Sequence, residues 1–597
     1  MKKTYKYLFL FMAALLLTFY SQSKLHANEQ ILSGQKTSWW KEAIVYQIYP
    51  RSFKDTDGDG VGDLQGIIEK LDYIKSLGVD IVWLNPIYKS PNDDNGYDIS
   101  DYRGIMDEFG TMDDFDKMLN GMHSRGIRLI MDLVVNHSSD EHEWFKQSRS
   151  SRDNPYRDYY YWWPAKDGKP PYRFSFFDVN SNAWEYDKKT DAYYLHYFSV
   201  KQPDLNWENP KVRKEIYALM KFWLDKGVDG FRMDVAPLIS KDLPFREIPE
   251  DEIREKYGSW VVYYTKGPRL HEFLREMNRE VLSKYDVMTV GEGGDIESAH
   301  ELVDEDRKEL NMIFQFDGIS LGKKDNNFPD PEGWNLTEFK EVYTRWDNTF
   351  KEKGWASIYL GNHDQSRMVS RWGNDNPKYW AVSAKLLHTF LLSMRATPYI
   401  YYGDEIGMTN IRFEKIEDYN DLATKNYYAQ LKGKGLDKEA ELFLEGQKEI
   451  SRDNGRTPMQ WNTNEYSGFT DSKPWLKVNP NFKSINVENQ EQDDTSILNY
   501  FRKMVKTRKL NPVLIYGKYE LLVPKHECLY AYTRTLGDTN ALVLLNFSME
   551  KINFNIPANF KNANVLINNM DSLLREGMEV SLLPYQAVIF KYSNSDQ

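Results

Sequence analysis

Cysteine is almost missing from this chain. Among 597 residues only Cys528 carries a thiol, which excludes an intramolecular disulfide framework and any zinc site built on several cysteines. An excess of positive charge is missing as well: 77 Lys and Arg stand against 89 Asp and Glu, for a formal net charge of −12. Binding to nucleic acid requires Lys and Arg gathered against phosphate, so that class is excluded. Long apolar runs are scarce. One uncharged stretch, Tyr7 to Tyr20, follows Lys2, Lys3 and Lys6 and gives way to polar residues as far as Ala27. It is short for a transmembrane helix but has the length and flanks of a signal-peptide core. Residues 1–27 are therefore expected to be an export signal. No cysteine near its end offers a lipid attachment point, so a secreted or periplasmic mature protein with no membrane anchor is expected. Losing that segment removes four lysines and no acid, leaving a net charge of −16.

What is abundant is aromatic: 40 Tyr, 30 Phe and 17 Trp. Many of these rings belong to a core, and exposed ones suit flat, weakly polar ligands such as sugars. Short runs rich in β-branched and aromatic residues recur with room for a helix between them: Ile44–Pro50, Ile81–Pro86, Arg128–His137, Gly230–Val235, Val287–Glu292, Met312–Asp317, Ser357–Asp364 and Pro398–Glu405. Eight such runs predict an α/β fold, a parallel (β/α)8 TIM barrel over 37–137 and 209–512. The gap between the third and fourth runs exceeds a plain crossover, and its Tyr-, Trp-, Asn- and Pro-rich sequence predicts an inserted domain over 138–208. From 513 to 597 the pattern turns to alternation with turn signals, which predicts a C-terminal antiparallel β-sandwich.

Most of the eight runs end in a charged or polar residue: Asp132 to His137, Arg232 with Asp234, Glu292, Asp317, Asp364, and Asp404 with Glu405. In a barrel of this type the C-terminal strand ends form the active-site face. One carboxylate there is commonly a helix cap; several at matching positions point to a site.

Four segments carry a family resemblance. Asp132–His137 (DLVVNH), Gly230–Val235 (GFRMDV), Val290–Glu292 (VGE) and Asn362–Asp364 (NHD) resemble the four signature regions of glycoside hydrolase family 13, the α-amylase family. The chemistry of retaining glycoside hydrolysis explains the residue types. One carboxylate attacks the anomeric carbon and a second, kept protonated, gives a proton to the leaving oxygen. The resemblance implies Asp234 as nucleophile, Glu292 as acid/base and Asp364 as the third carboxylate, holding sugar hydroxyls. Arg232 lies two residues before Asp234, on the same strand face, and is expected to keep it ionised. His137 and His363 resemble the family's donors to sugar hydroxyls.

Three more segments narrow the subgroup. Gln202–Asn206 (QPDLN) resembles the marker of the oligo-1,6-glucosidase group, while Gly96–Asp98 (GYD) and Arg452–Arg456 (RDNGR) resemble the pair that closes a pocket around a terminal glucose, implying that Asp98 and Arg456 grip its hydroxyls. Val235, directly after the nucleophile, resembles relatives that accept α-1,6 bonds. The implied activity is a retaining exo-α-glucosidase acting on terminal α-1,6 and some α-1,4 bonds of short oligosaccharides. Two alternatives stay open: a sucrose isomerase or transglucosylase, against which the stretch from Ile319 and Val235 both count, and a catalytically silent sugar-binding relative. A small oligosaccharide is the expected partner, and a monomer the expected state.

Between Asp55 and Asp63 (DTDGDGVGD) acids alternate with glycines, a donor set for a hard cation. The twelfth position from Asp55 is Gly66, not Glu, so the loop is not an EF-hand. Related glucosidases carry a similar loop, and the resemblance implies a structural calcium ion held by Asp55, Asp57, Asp59, Asp63 and the carbonyl of Val61.

Overall fold

The computed structural model describes residues 38–177, 182–252, 267–293, 296–324 and 328–593; the expected export signal lies outside them. Each of the eight predicted runs contributes a parallel barrel strand: β1 Val45–Ile48, β2 Ile81–Leu84, β3 Arg128–Leu133, β4 Gly230–Met233, β5 Met288–Glu292, β6 Met312–Phe314, β7 Ser357–Ile358 and β8 Thr397–Tyr401. Hydrogen-bonded ladders join β6-β5-β4-β3-β2-β1-β8-β7 in that order. Among the described residues no ladder closes β6 onto β7. Instead Ser357 Oγ donates to the Ile313 carbonyl and the Tyr359 hydroxyl to the Gln315 carbonyl, each at 2.7 Å.

The strands read as unbroken apolar strings because both faces are covered, but their alternation is real. Val45, Ile81, Trp83, Ile130, Val290, Met312 and Phe314 fill the barrel interior. Tyr46, Ile48, Val82, Leu84, Leu129, Met131 and Leu133 face the helical layer. The same alternation sends Asp132, Arg232 and Glu292 to the inner face at the C-terminal strand ends. The intervening helices carry the expected start signals. Pro210–Asp225 opens with Pro at its first position behind Asn209, whose side chain accepts the Lys211 amide.

In the insertion, Trp162–Pro164, Trp184–Asp187 and Ala192–Leu195 form a small antiparallel sheet. Bridges His137–Asp204 and Tyr160–Leu205 fasten its return to the barrel. A second excursion, after β8, carries helices Leu422–Gly433 and Asp437–Ile450. The C-terminal region packs a five-stranded against a three-stranded antiparallel sheet around Leu529, Leu542, Leu544, Val580, Leu582, Val588 and Phe590. Its first strand is Lys518–Leu521, later than the predicted start at 513, because Pro512 opens one more helix, to Tyr516. The Lys340 ammonium ties this domain to the barrel by donating to the carbonyls of Val523, His526 and Leu529. Among the described residues no helix is long and apolar enough to cross a membrane.

Candidate active site

Arg232 is the centre of the site. The parallel register sets Asp132 of β3 directly beside it. Its Nη1 donates to Asp132 Oδ1 at 2.5 Å and to Asp234 Oδ1 at 2.8 Å, and its Nη2 lies 2.7 Å from Glu292 Oε1. One buried guanidinium therefore holds three carboxylates, where sequence reasoning gave it one. Its single charge leaves two negative charges uncompensated. Burial, reinforced by Glu292 and Asp132 and opposed by Arg232, pushes the Asp234 carboxyl well above the usual range. Burial likewise raises Asp132 to about 6. Carboxyls that interact this closely, Asp132 and Asp234, give up their protons as a pair rather than singly.

Directly after the nucleophile candidate the chain turns sharply. Val235 adopts φ 36° and ψ 44°, a left-handed conformation that a β-branched residue takes only when its surroundings force it, at a cost of about 1–3 kcal/mol. The turn aims the Val235 amide at Glu292 Oε2, 3.2 Å away. It thereby supplies a fixed donor to the same acid that Arg232 holds from the other oxygen.

Tyr97 lines the pocket, with His363 packed behind it. Their rings stack at 5.3 Å, and the Tyr97 hydroxyl lies 2.6 Å from His363 Nε2. Gln47 Nε2 faces His363 Nδ1 at 2.9 Å. A donor there places the ring proton on Nε2, toward Tyr97 and toward Asp364 Oδ2 at 3.3 Å. Burial pushes His363 down to about 3 and His137 to about 4, so both rings are neutral at physiological pH. Burial alone would raise Asp364; the charges of Arg452, Arg456 and Arg232 hold it well below the ordinary carboxylate range.

Beside these groups lies a cavity of about 240 Å³ whose wall includes Asp94, Tyr97, His137, Asp234, Val235, Glu292, Asp364 and Arg452, with Phe176, Phe177, Phe198 and Phe316 in its apolar part; Arg232 and His363, expected to touch substrate, are buried behind it. All three predicted catalytic acids meet there. The predicted gripping pair does not. Asp98 is fully buried, its carboxylate taken up by the amides of Asp93 and Asp94 and by the Ser90 hydroxyl. Arg456 lies behind the wall, donating to the His363 carbonyl at 2.8 Å and to Asp364 at 3.0 Å. The wall positions belong to Asp94 and Arg452, each four residues earlier. Asp94 accepts from Gln202 Nε2 at 3.1 Å, and its carboxyl is pushed up to about 7 by burial against the opposing pull of Arg452 and Arg456. The repeated acids and arginines of these two motifs were the available signal, but the sequence does not say which member turns inward.

A further buried pair lies beneath the pocket. Lys241 Nζ donates to Asp204 Oδ1, Asn136 Oδ1 and the Leu238 carbonyl at 2.6–2.7 Å. It ties the QPDLN segment to the residue before His137 and to the pocket wall.

At the acidic loop, carboxylate oxygens of Asp55, Asp57 and Asp63 lie within 4.8 Å of one another. Asp59 is outside this group: its carboxylate accepts the Val61 amide at 2.7 Å. Among the described residues no Lys or Arg forms an ion pair with these acids. The all-oxygen donor set fits a hard cation, with three gathered carboxylates where four were expected.

Residues 47–517 match the model of the α-amylase catalytic domain, and 529–589 match that of the SusG C-terminal domain. The chain is 54% identical to an oligo-1,6-glucosidase of Parageobacillus thermoglucosidasius, an alignment spanning 93% of this chain and 99% of that protein. It is 49% identical, over the same shares, to one of Bacillus cereus. Among solved structures, an isomaltulose synthase from Klebsiella sp. LX3 superposes with a TM-score of 0.89 at 46% identity, covering 93% of this chain and all of the other. An isomaltulose synthase mutant from Erwinia rhapontici NX5 in complex with sucrose gives 0.89 at 45%, covering 93% and 99%. With the barrel, the three converging acids and these matches in hand, the chain belongs to the α-amylase family of glycoside hydrolases.

Proposed function

We propose that the protein is a retaining exo-α-glucosidase of the oligo-1,6-glucosidase type. The observation that carries the reading is the Arg232 guanidinium with Asp234 and Glu292 on its two terminal nitrogens, inside a pocket walled by Asp94, Arg452 and Asp364. Two carboxylates on one guanidinium suit the close pairing of retaining enzymes, about 5–5.5 Å, better than the wider inverting spacing. Asp234 attacks the anomeric carbon as the glycosidic bond breaks; the bonding pair leaves on the departing oxygen, which takes the proton of Glu292. A proton on Glu292 also relieves the repulsion on Asp234 and leaves it ionised against Arg232. Water then attacks the glucosyl ester, gives its proton back to Glu292, and glucose departs with its configuration retained. Asp94, Arg452 and Asp364 hold the hydroxyls of the terminal ring, His137, neutral, donates to it, and His363 braces Asp364 from behind the wall. Val235 and Gly293 border the leaving-group side, where a preference for α-1,6 bonds would be set.

The test is glucose release from isomaltose, maltose and sucrose in parallel, with Asp234→Asn as control. Glucose from isomaltose, lost in the control, is expected. Sucrose turned mainly into an isomeric disaccharide would move the protein to the isomerase group, the activity of the solved relatives. No turnover of any of the three would overturn the reading.

The same proposal includes calcium at Asp55, Asp57 and Asp63. It would brace the turn that leads from β1 into helix Leu64–Glu69, which Asp63 caps. Chelation is expected to lower the melting temperature and leave kcat at 25 °C unchanged; a melting temperature indifferent to chelator refutes the calcium site. Export is proposed from residues 1–27 and is checked by the N-terminus of protein recovered outside the cytoplasm.

A further inference from the structure

Arg452 is a wall residue whose position is set by the excursion after β8. Its Nη1 donates to Asp364 Oδ1 at 3.0 Å, and its Nε donates to Asp421 Oδ1 at 2.7 Å, with Nη2 on the same oxygen. Asp421 is 2% exposed, lines no part of the cavity, and belongs to the excursion after β8. Its second oxygen accepts the amide and hydroxyl of Thr424, at 2.8 and 2.6 Å, which caps helix Leu422–Gly433. The two oxygens of this carboxylate thus act separately, Oδ2 starting the helix and Oδ1 holding the arginine. Asn426, one turn further on, donates to the Phe177 carbonyl at 2.8 Å, and the Phe177 ring lies 5.3 Å from the Arg452 guanidinium. One helix start therefore fixes the arginine through Asp421 and the ring beside it through Asn426.

The charges explain why an acid is needed there. Asp364 Oδ1 accepts from both Arg452 and Arg456, and Arg456 Nη1 lies 3.9 Å from Asp421. In direct contact, two acids meet two guanidiniums. Without the charge on Asp421, Asp364 would be the acid left in ion-pair contact with the two cations, with Asp94 acting on them from further off. Arg452 would be drawn onto the carboxylate whose free oxygen is needed for sugar hydroxyls.

We propose that Asp421 is a positioning residue for substrate: it shares Arg452 with Asp364 so that both stay set for the terminal sugar ring. The proposal rests on the exo-glucosidase reading for the identity of that ring. Asparagine caps a helix as well as aspartate does, and alanine does not, so two substitutions separate capping from charge. Asp421→Asn should keep the melting temperature within about 2 °C and lower kcat/KM for isomaltose at least tenfold, with KM raised. Asp421→Ala should lose both activity and stability. If Asp421 only caps the helix, Asp421→Asn will match wild type in kcat and KM, and the proposal is wrong. Glucose affinity, measured by calorimetry on the same proteins, needs no turnover and should weaken by about the same factor in Asp421→Asn; unchanged affinity also overturns the proposal. Wild type that binds glucose without hydrolysing isomaltose would sink the functional reading, while the Asp421→Asn affinity would still decide the positioning role.

Discussion

Replacing Lys241 with Met gives the sharpest check of how the insertion is held. Lys241 is 3% exposed and its ammonium has three acceptors: Asp204, Asn136 and the Leu238 carbonyl. Breaking a buried ion pair from one side costs about 3–5 kcal/mol, mainly because the partner charge is left alone. Asp204 would not be wholly alone, since the Tyr197 amide and Asn136 Nδ2 still donate to it at 2.8 and 3.1 Å. That places the expected cost at the low end, about 3 kcal/mol. The pair joins residues 138–208 to the turn after β4, so the loss should appear as local opening of the insertion rather than as global unfolding. Hydrogen exchange of the amides in Trp184–Asp187 and Ala192–Leu195 is the assay. About 3 kcal/mol corresponds to exchange roughly a hundredfold faster there, with the amides of β1 and β2 unchanged. Because Leu238 lines the pocket, kcat/KM should fall as well. Combining Asp204→Asn with Lys241→Met removes the stranded charge and should recover more than half of the lost protection. Exchange in Lys241→Met within threefold of wild type, or a double variant as damaged as the sum of the singles, would refute the reasoning.

Two further outcomes follow from pKa shifts. Asp94, pushed up to about 7 by burial, must be ionised to accept from sugar hydroxyls. Glucose affinity should therefore weaken progressively as pH falls below about 7 and level off above it, and Asp94→Asn should bind weakly with that dependence removed; a wild-type affinity flat from pH 5 to 8 refutes this. His388 is buried beneath the Asp404 carbonyl, 2.9 Å from its Nε2, and is pushed down to about 4 by burial. A depressed histidine contributes stability that is present above about pH 6.5 and lost as pH falls toward its folded value, here as much as about 3 kcal/mol. His388→Gln keeps a donor for that carbonyl and cannot take the proton. The stability advantage of wild type over this variant should shrink between pH 6.5 and 4 in urea titrations, and an advantage constant with pH would contradict the account.

The strands and the three acids were legible because strand geometry constrains them. A run of four to six apolar residues bounded by turn signals reads as a buried strand, and an i, i+2 pair such as Arg232 and Asp234 shares a face whatever surrounds it. The hold of Arg232 on Asp132 was not legible. It depends on the register between β3 and β4, which pairs residues a hundred positions apart and leaves no mark in either segment. Asp94 against Asp98, and Arg452 against Arg456, failed for a different reason. Asp94 and Asp98 sit in a turn, where no periodicity fixes side-chain direction and the local amides take Asp98; Arg452 and Arg456 bound a single helical turn, Arg452–Gly455, too short for its inward face to be read from the sequence. Asp421 was overlooked because a helix cap and a charge partner look identical in sequence. The gathering of acids in the loop is legible as carboxylates on alternate positions; that Asp59 stands outside the group of Asp55, Asp57 and Asp63 is set by loop conformation, which the spacing does not carry.

The seam between β6 and β7 gives the barrel a preferred place to come apart. Seven strand junctions carry backbone ladders, whereas this one has two hydroxyls reaching over to Ile313 and Gln315 and the packing of Phe314 on Tyr359. Losing a hydroxyl removes a whole tie at once, while losing one ladder bond leaves its neighbours in register. Under force or mild denaturant the sheet should therefore unroll from this edge as a curved ribbon running from β6 round to β7. The seam is also where the chain is best suited to being cut and expressed as two fragments that find each other again. The four signature segments would be divided unequally by such a cut: Asp132, Arg232, Asp234 and Glu292 stay with the first piece, and Asp364 arrives with the second. Activity would then report directly on whether the ring has closed.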